Sequence, residues 1–498
     1  MAAVAADTPP ARATRREWIG LGLVVLPCVL YSMDLTVLNL AVPSLSADLK
    51  PSAVQLLWIV DIYGFMVAGW LITMGTLGDR IGRRRLLMFG AAAFGLASVV
   101  AAFAPTAEAL IAARALLGVA GATIAPSTLS LIRHMFQDER QRTFAIGAWG
   151  TGYAAGGLIG PVLGGVMLQW FPWGSVFLVA LPVMALVLIA APLLLPEYKD
   201  PNAGRSDVVS AGLSLSAVLA IVYGLKRTAE AGPSVLAGAS VVGGLLLAWA
   251  FVERQRRLTD PLIDLSLFGS KTFSTALTIN LLGCLVIFGT FLFIAQYLQL
   301  VLGLSPLEAG LWQLPSAAAT TAGSMLSPWF VQHGRPSRVV AGGMGLLALG
   351  LAMLTQVSWG GLPLLVTACV VMSLGLGPTF VLTSDLILNA APPERAGGAG
   401  AISETGSEFG GVMGIALLGS LGVAIYQALA PDTDHASLGL AVAEARRIGG
   451  AAGTALLSES RSAFVQALQI VAGLAAAISA AGAAAALVLL GDRRRSAA

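Results

Sequence analysis

The sequence of 498 residues carries little charge, since only 11% of its side chains are Asp, Glu, Lys or Arg. Soluble domains carry roughly 25% charged residues, so a water-soluble globular protein is excluded. The chain has three cysteines, all within apolar runs, and three scattered histidines. This excludes a disulfide framework and leaves no zinc-binding spacing. The net charge of +3, with no basic cluster among aromatic residues, predicts no nucleic-acid partner.

Apolar residues dominate instead, at 57% of the chain. A helix that crosses a bilayer needs about 20 mostly apolar residues. The first such run contains Asp34 and is too long for a signal peptide, so we interpret it as a retained helix. The pattern predicts an all-α polytopic membrane protein with fourteen transmembrane helices. The predicted helices are 18–44, 54–77, 86–104, 109–132, 143–168, 173–195, 208–225, 234–252, 273–299, 307–331, 337–357, 361–388, 399–427 and 465–490.

The positions of Lys and Arg predict the orientation, because cytoplasmic loops are enriched in these residues. With the N-terminus in the cytoplasm, 22 basic residues fall on the cytoplasmic side. Only six fall on the opposite side, and one, Arg114, lies inside the fourth helix. We therefore expect cytoplasmic tails at 1–17 and 491–498. Since the 25 Arg and 4 Lys are typical of a GC-rich bacterial genome, we expect a multi-pass protein of the bacterial inner membrane. The six residues are Lys50, Lys226, Arg227, Arg446, Arg447 and Arg461.

A weak internal repeat divides the chain into two halves. The loop around Gly82 resembles the loop around Gly334, and the same offset of 252 residues aligns the glycine-rich fifth and thirteenth helices. Parallel repeats around a central substrate path are typical of secondary transporters. The repeat predicts an N-terminal half at 18–200, two inserted helices at 201–258 and a C-terminal half at 259–490. The C-terminal half includes an extracellular loop at 428–464, for which a surface helix is one interpretation.

Four acids lie within apolar helices, where a charge is costly and usually functional. They are Asp34 in the first helix, Asp61 in the second, and Glu404 with Glu408 in the thirteenth. Glu404 and Glu408 are four residues apart and so share one helix face. Arg114 has a depth similar to that of Asp34 and needs a carboxylate or carbonyl partner. The alternative for each acid is an ion pair that only fixes helix packing.

Glycines recur every fourth residue in the fifth and thirteenth helices, a spacing that lets helices approach closely in lipid. In the thirteenth helix the glycine face and the acidic face point in opposite directions. That helix is therefore expected to pack on one side and line a cavity on the other. Pro161 has no backbone N–H and is expected to kink the fifth helix. The glycines are Gly152, Gly156, Gly160 and Gly164 in the fifth helix and Gly406, Gly410 and Gly414 in the thirteenth.

Several ordered motifs resemble those of the major facilitator superfamily. Residues 75–85, Gly-Thr-Leu-Gly-Asp-Arg-Ile-Gly-Arg-Arg-Arg, resemble its loop between the second and third helices. Residues 110–118 resemble its fourth-helix motif with a buried Arg, and residues 156–165 its antiporter motif. Residues 34–39 and the helix count resemble the fourteen-spanner drug:proton antiporters of the QacA, LfrA and SmvA group. Further similarity lies at 57–63, 126–132, 304–310 and 403–410.

The resemblance implies a proton-driven exporter of lipophilic cations that works by alternating access. It implies a monomer in the lipid bilayer with no cofactor, the proton gradient being its energy source. A carboxylate in a low-dielectric cavity holds a proton more tightly than one in water, so a lipophilic cation can compete with that proton. Cation–π contacts from nearby aromatic rings would assist. We expect proton coupling by Asp34, Glu408 and Arg114. Substrate contacts are expected from Asp61, Glu404, Trp58, Tyr63, Trp149 and Tyr153. Roles in the conformational change are expected for Gly75, Asp79, Arg80, Gly82, Arg83, Gly156, Gly160 and Pro161.

Within that last group, Asp79 and Arg83 are expected to form a latch that pairs with the other half in one access state only. The sequence also departs from the family pattern. Some multidrug members carry an acid in the tenth helix, but residues 314–331 contain none. This predicts inefficient handling of dications.

Two other functions compete with multidrug export. A dedicated exporter of a self-made antibiotic or metabolite has the same fold, but a neutral or anionic substrate would make the second acid superfluous. A channel needs no carboxylate that takes up a proton. A membrane-embedded enzyme is disfavoured because the sequence shows no nucleophile with a base and no cofactor-binding loop.

Overall fold

The computed structural model describes residues 12–199, 207–258, 261–333, 335–358, 361–392, 396–430 and 437–490. Within these ranges the chain is helical, with no strand, and forms fourteen long helices. The helices are α1 (Arg15–Leu49), α2 (Ala53–Ile81), α3 (Arg83–Ala102), α4 (Ala107–Gly121 and Ile124–Met135), α5 (Glu139–Trp170), α6 (Ser175–Leu178 and Ala180–Leu194), α7 (Val208–Ala231), α8 (Val235–Arg257), α9 (Lys271–Gln296, then a π-helix at Tyr297–Val301), α10 (Leu314–His333), α11 (Pro336–Leu354), α12 (Leu362–Ala390), α13 (Ala396–Gly414, a π-helix at Ile415–Gly419, and Ser420–Leu429) and α14 (Gly450–Leu489).

Thirteen helices or helix pairs of the described chain are long and apolar enough to cross a membrane. The remaining long helix, α10, has 20 residues and is interrupted by Ser, Thr and Pro. It packs along α12. The helices before and after it in the sequence, α9 and α11, are both among the thirteen. The expectation of an all-α protein with about fourteen spanning helices is confirmed.

Side-chain caps define where the helices begin. Ser52 and Gln55 form a capping box at the start of α2, and Thr14 and Glu17 form another at the start of α1. Such boxes satisfy backbone N–H groups that have no partner within the helix. At the other end of α2, Gly82 adopts φ +111°, a conformation that favours glycine. Local side-chain and backbone signals therefore mark these helix ends.

Two boundaries differ from the sequence prediction. Helix α7 continues past residue 225 to Ala231, so Lys226 and Arg227 lie in a helix and not in an outer loop. The segment 428–464 is not one loop: it contains the end of α13, the short helix Leu438–Ile448 and the first turns of α14. Residues 431–436 lie outside the described residues. Lys226 and Arg227 were interpreted as loop residues although they lie on α7. The helix Leu438–Ile448 agrees with the surface helix considered for 428–464, whereas α14 begins earlier than expected.

The core is divided between the two halves. One large cluster of buried apolar residues comes from α1–α6, with Leu292 and Ile415 as its only members from the rest of the described chain. The second comes from the segment 267–490, with Leu40 added. The inserted helices α7 and α8 pack on each other, and α7 also contacts α2 and α13. Helix α8 exposes large apolar side chains, including Trp249, as a lipid-facing helix does.

Glycines bring α5 onto α1 and α13 onto α9. A Cβ atom added at Gly156 would lie 2.3 Å from the backbone oxygen of Val29, and one added at Gly410 would lie 2.4 Å from that of Leu281. The backbones are thus in contact at both places, as close small-residue packing in membranes requires. Val29 and Leu281 are equivalent under the offset of 252 residues, whereas Gly156 and Gly410 are 254 positions apart, so the repeat relates the two helix pairs but not the individual glycines.

The close packing of α5 on α1 gives a prediction for Gly156→Ala. A Gly→Ala change at an exposed helical position raises the free energy of unfolding by about 1 kcal/mol, whereas overpacking a tight contact lowers it by about 1–3 kcal/mol. We expect Gly156→Ala to lower the thermal unfolding midpoint in detergent. Gly147→Ala on the same helix is the matched control, since its Cβ would have no neighbour within 4 Å. Equal midpoints for the two variants would contradict this packing.

The two halves meet at one end of the bundle, away from the loop between α2 and α3. A Cβ atom at Gly310 would lie 2.3 Å from the backbone oxygen of Pro161 in α5. The Gln299 side chain donates a hydrogen bond to the backbone oxygen of Leu40 over 3.1 Å. These contacts close the space between the halves at that end.

Candidate functional site

A cavity of about 340 Å³ lies between the two halves. Its size falls within the range of small-molecule pockets. Helices α1, α2 and α5 of the first half and α9, α12 and α13 of the second supply the walls. The lining residues are Tyr31, Ser32, Val60, Asp61, Gly64, Trp149, Gly150, Tyr153, Cys284, Phe288, Phe380, Glu404, Ser407, Glu408, Gly411, Val412 and Ile415.

Helix α13 places both of its carboxylates in this cavity. The Tyr31 hydroxyl of α1 donates a hydrogen bond to Oε1 of Glu408 over 2.5 Å. Among the described residues, Glu404 has no hydrogen bond or ion pair, so its carboxylate is available to a ligand. No Lys, Arg or His is among the lining residues that the structure describes. A positively charged ligand would therefore find two carboxylates without a competing cation on the wall.

Aromatic rings from α1 and α5 lie beside these acids. Trp149 and Tyr153 pack edge to face with ring centroids 4.8 Å apart, and Tyr153 packs similarly on Tyr31 at 5.5 Å. The Trp149 indole N–H donates to the Thr128 hydroxyl over 2.9 Å, which fixes the ring plane. This cluster gives the cavity an apolar wall suited to a flat, lipophilic molecule.

A polar chain holds α13 against α9 and α12. The Ser407 hydroxyl, one residue before Glu408, donates to Oδ1 of Asn280 over 2.6 Å. Asn280 in turn donates through Nδ2 to the Thr383 hydroxyl over 3.1 Å. Both Asn280 and Thr383 are buried. Fully bonded buried networks of this kind fix the position of the groups they join, here the acidic segment of α13.

Arg114 and Asp34 form a buried ion pair behind the cavity. Nη1 of Arg114 lies 2.5 Å from Oδ2 of Asp34, and the Arg114 side chain is 1% exposed. The guanidinium also donates to the backbone oxygens of Ile59 at 3.0 Å and Val60 at 3.3 Å. It lies 4.9 Å from the ring centroid of Tyr63. Arg114 thus joins α4 to α1 and α2, and Asp34 does not line the cavity in this state.

Asp61 has a partner that the sequence prediction missed. Nζ of Lys226 in α7 lies 2.7 Å from Oδ2 of Asp61, and both side chains are fully buried. The same Nζ lies 3.9 Å from the ring centroid of Trp58. Asp61 lines the cavity, but Trp58 and Tyr63 do not. These two rings, expected at the substrate, instead contact Lys226 and Arg114.

The loop between α2 and α3 is tied to its own half. Arg83 pairs with Asp79 at 2.5 Å and donates to the backbone oxygen of Pro126 in α4 over 3.2 Å. A Cβ atom at Gly82 would lie 2.3 Å from Oε1 of Glu197, which follows α6. We expected Asp79 and Arg83 to pair with the second half in one access state. In this structure the bonds just described join them only to residues of the first half. Of the other predicted motif residues, Gly75 lies near Pro126 and Arg80 is exposed.

Two residues of the site escaped the sequence prediction for different reasons. Tyr31 is an aromatic residue within an apolar run, and only the fold shows that it reaches Glu408 on a helix 377 positions away. Lys226 was placed in an outer loop because the predicted helix ended at residue 225. The true helix end was marked by Gly232 and Pro233, the usual signals past a C-terminus, and these would have kept Lys226 inside the helix.

Comparison with known proteins adds independent findings. The sequence model of the family described as Major Facilitator Superfamily matches residues 26–415. The multidrug efflux pump LfrA of Mycolicibacterium smegmatis is 40% identical, with 95% of this chain and 96% of that protein covered. The methyl viologen resistance protein SmvA of Salmonella typhimurium is 36% identical, over 90% of this chain and 93% of that protein.

Among solved structures, the chain resembles a bacterial homologue of the human lysosomal transporter Spinster in an inward-facing, unoccupied conformation. The TM-score is 0.68 and the sequence identity 18%, with 97% of this chain and 100% of that one covered. At this identity the likeness establishes the fold alone.

Proposed function

This chain belongs to the Major Facilitator Superfamily and is a multi-pass secondary transporter, not an enzyme, and from that premise we propose that it exports lipophilic, cationic drugs in exchange for protons. The observation that carries the proposal is the cavity between the halves, which holds Glu404 and Glu408 with no basic side chain among its described lining residues. The names of the relatives, a multidrug efflux pump and a methyl viologen resistance protein, agree with this substrate class.

Exchange follows from competition for the carboxylates. A cation that enters the cavity pairs with Glu404 and stacks on Trp149 and Tyr153, and this favours loss of the proton from Glu408. When the cation leaves on the other side of the membrane, the uncompensated carboxylates take up protons again. No cofactor takes part, and the proton gradient supplies the energy.

Asp34 is proposed as a second proton carrier. Its carboxylate is held by Arg114 in this state, so a proton can replace the guanidinium only when α4 moves relative to α1. Such a dependence would link protonation to the change of access. The contacts between Pro161 and Gly310 close the cavity away from the basic loop at Arg80–Arg85, so this state would face the cytoplasm.

The same proposal places the protein in the bacterial inner membrane as a monomer with both termini in the cytoplasm. The asymmetry of basic residues supports this orientation, and burial of Lys226 within α7 removes one residue from the sparse outer side. An even number of crossings puts both termini on one side.

Everted membrane vesicles test the proposal. When the vesicle lumen is more acidic than the medium, we expect ethidium to accumulate in the lumen, because protons that leave the lumen drive the entry of the drug. This accumulation should stop when the pH gradient is collapsed. A Glu404→Gln, Glu408→Gln variant of equal abundance is the control and should accumulate none. Entry of ethidium that stops at equilibrium and does not depend on the pH gradient would indicate a channel. Transport only of neutral or anionic compounds would favour a dedicated metabolite exporter.

A further inference from the structure

The Asp61–Lys226 ion pair joins the wall of the cavity to an inserted helix. Oδ2 of Asp61 and Nζ of Lys226 are 2.7 Å apart with both side chains fully buried, and the ammonium group also lies over the Trp58 ring at 3.9 Å. Lys226 thus has an anion and an aromatic face as neighbours. A bound organic cation would seek the same two kinds of partner.

Helix α7 reaches this position because it packs against the line where the halves meet. Val222, one turn before Lys226, is buried with Phe65 of α2 and with Val412 and Ala416 of α13. Val412 itself lines the cavity, as do Asp61 and Gly64 of α2. The ammonium group of α7 is therefore separated from the cavity only by the wall residues of α2 and α13.

The pair changes the charge that a substrate meets. Three acids belong to the cavity wall, namely Asp61, Glu404 and Glu408. Both carboxylate oxygens of Asp61 are shielded from solvent, and Oδ2 lies 2.7 Å from Nζ of Lys226, so the charge of this acid is already compensated. Only the two acids of α13 are left to compensate a ligand, and they also serve the exchanged protons.

We propose that Lys226 is a specificity-determining residue, a tethered cation that occupies Asp61 and thereby biases the cavity toward monocations. The proposal rests on the proposed function, since it assumes cationic substrates. Without Lys226, the carboxylate of Asp61 would be buried and unpaired, a costly state that is relieved when it turns into the cavity. A third carboxylate there would favour a ligand with a second positive charge.

Ethidium and propidium provide the matched probes, since they share one ring system and propidium carries an additional quaternary ammonium group. In everted vesicles with a pH gradient, we expect Lys226→Met to raise the ratio of propidium to ethidium transport roughly tenfold over the unmodified protein. The double variant Asp61→Asn, Lys226→Met removes both charges and is expected to return the ratio to that of the unmodified protein.

The outcomes separate this inference from the proposed function. If the unmodified protein transports no ethidium, the proposed function fails. If it transports ethidium but Lys226→Met leaves the ratio unchanged, Lys226 is only a structural link and the inference is overturned. Thermal unfolding in detergent verifies that each variant folds. If Lys226→Met does not fold, Lys226→Gln takes its place, because glutamine keeps a hydrogen-bond donor for Asp61. This variant is also expected to raise the ratio of propidium to ethidium transport, and an unchanged ratio would overturn the inference.

Discussion

Replacing Arg114 with leucine is expected to destabilise the protein by about 3–5 kcal/mol and to abolish transport, because the change leaves a buried carboxylate without its partner. The Arg114 side chain is 1% exposed and that of Asp34 is 12% exposed, so solvent cannot substitute for the lost guanidinium. The same change removes hydrogen bonds to the backbone oxygens of Ile59 and Val60. Thermal unfolding in detergent and ethidium uptake into everted vesicles measure the two effects.

Two further variants separate charge from geometry. Arg114→Lys keeps the positive charge but cannot donate to Asp34, Ile59 and Val60 together, since lysine lacks the planar fork. We expect it to recover part of the stability and little of the transport. The double variant Asp34→Asn, Arg114→Leu removes both charges of this pair, so its free energy of unfolding should exceed that of Arg114→Leu alone. An Arg114→Leu protein as stable as the unmodified one would show that the pair does not join α1, α2 and α4.

The sequence predicted what depends on local composition. Apolar runs of membrane-spanning length located the helices, and the cost of a buried charge selected Asp34, Asp61, Glu404, Glu408 and Arg114 in advance. Glycine spacing marked the face of α5 that packs closely on a neighbouring helix, although not which helix that neighbour is. Each of these signals is contained within one helix, so no knowledge of the fold was needed.

What the sequence could not supply is which helices are neighbours in space. Asp61 was expected to meet a substrate, and only the packing of α7 on α2 shows that Lys226 meets it first. Likewise, the depths of Trp58 and Tyr63 were compatible with a cavity position, but their rotation about α2 directs them to buried cations. Position along a helix can be counted from sequence, whereas the direction a side chain takes depends on its neighbours.

The two acids of α13 are expected to contribute differently to exchange, and their contacts suggest how. Glu408 accepts a hydrogen bond from Tyr31 of the other half, whereas Glu404 has no such bond among the described residues. A proton on Glu408 therefore affects a contact between the halves, and a cation at Glu404 replaces no protein partner. Since the carboxylates are one helical turn apart, they titrate as a coupled pair.

Proton release on drug binding measures this division in purified protein held in weak buffer. Adding ethidium should release protons, and Glu408→Gln and Asp34→Asn should each reduce the release, with little left in the double variant. Glu404→Gln should instead weaken ethidium binding roughly ten- to hundredfold, as expected for a lost contact to a charged group, with less effect on protons released per cation bound. Tyr31→Phe is the matched control, because it removes the hydrogen bond to Glu408 and keeps both carboxylates. Unchanged release in Asp34→Asn, Glu408→Gln would remove these two residues from the coupling mechanism.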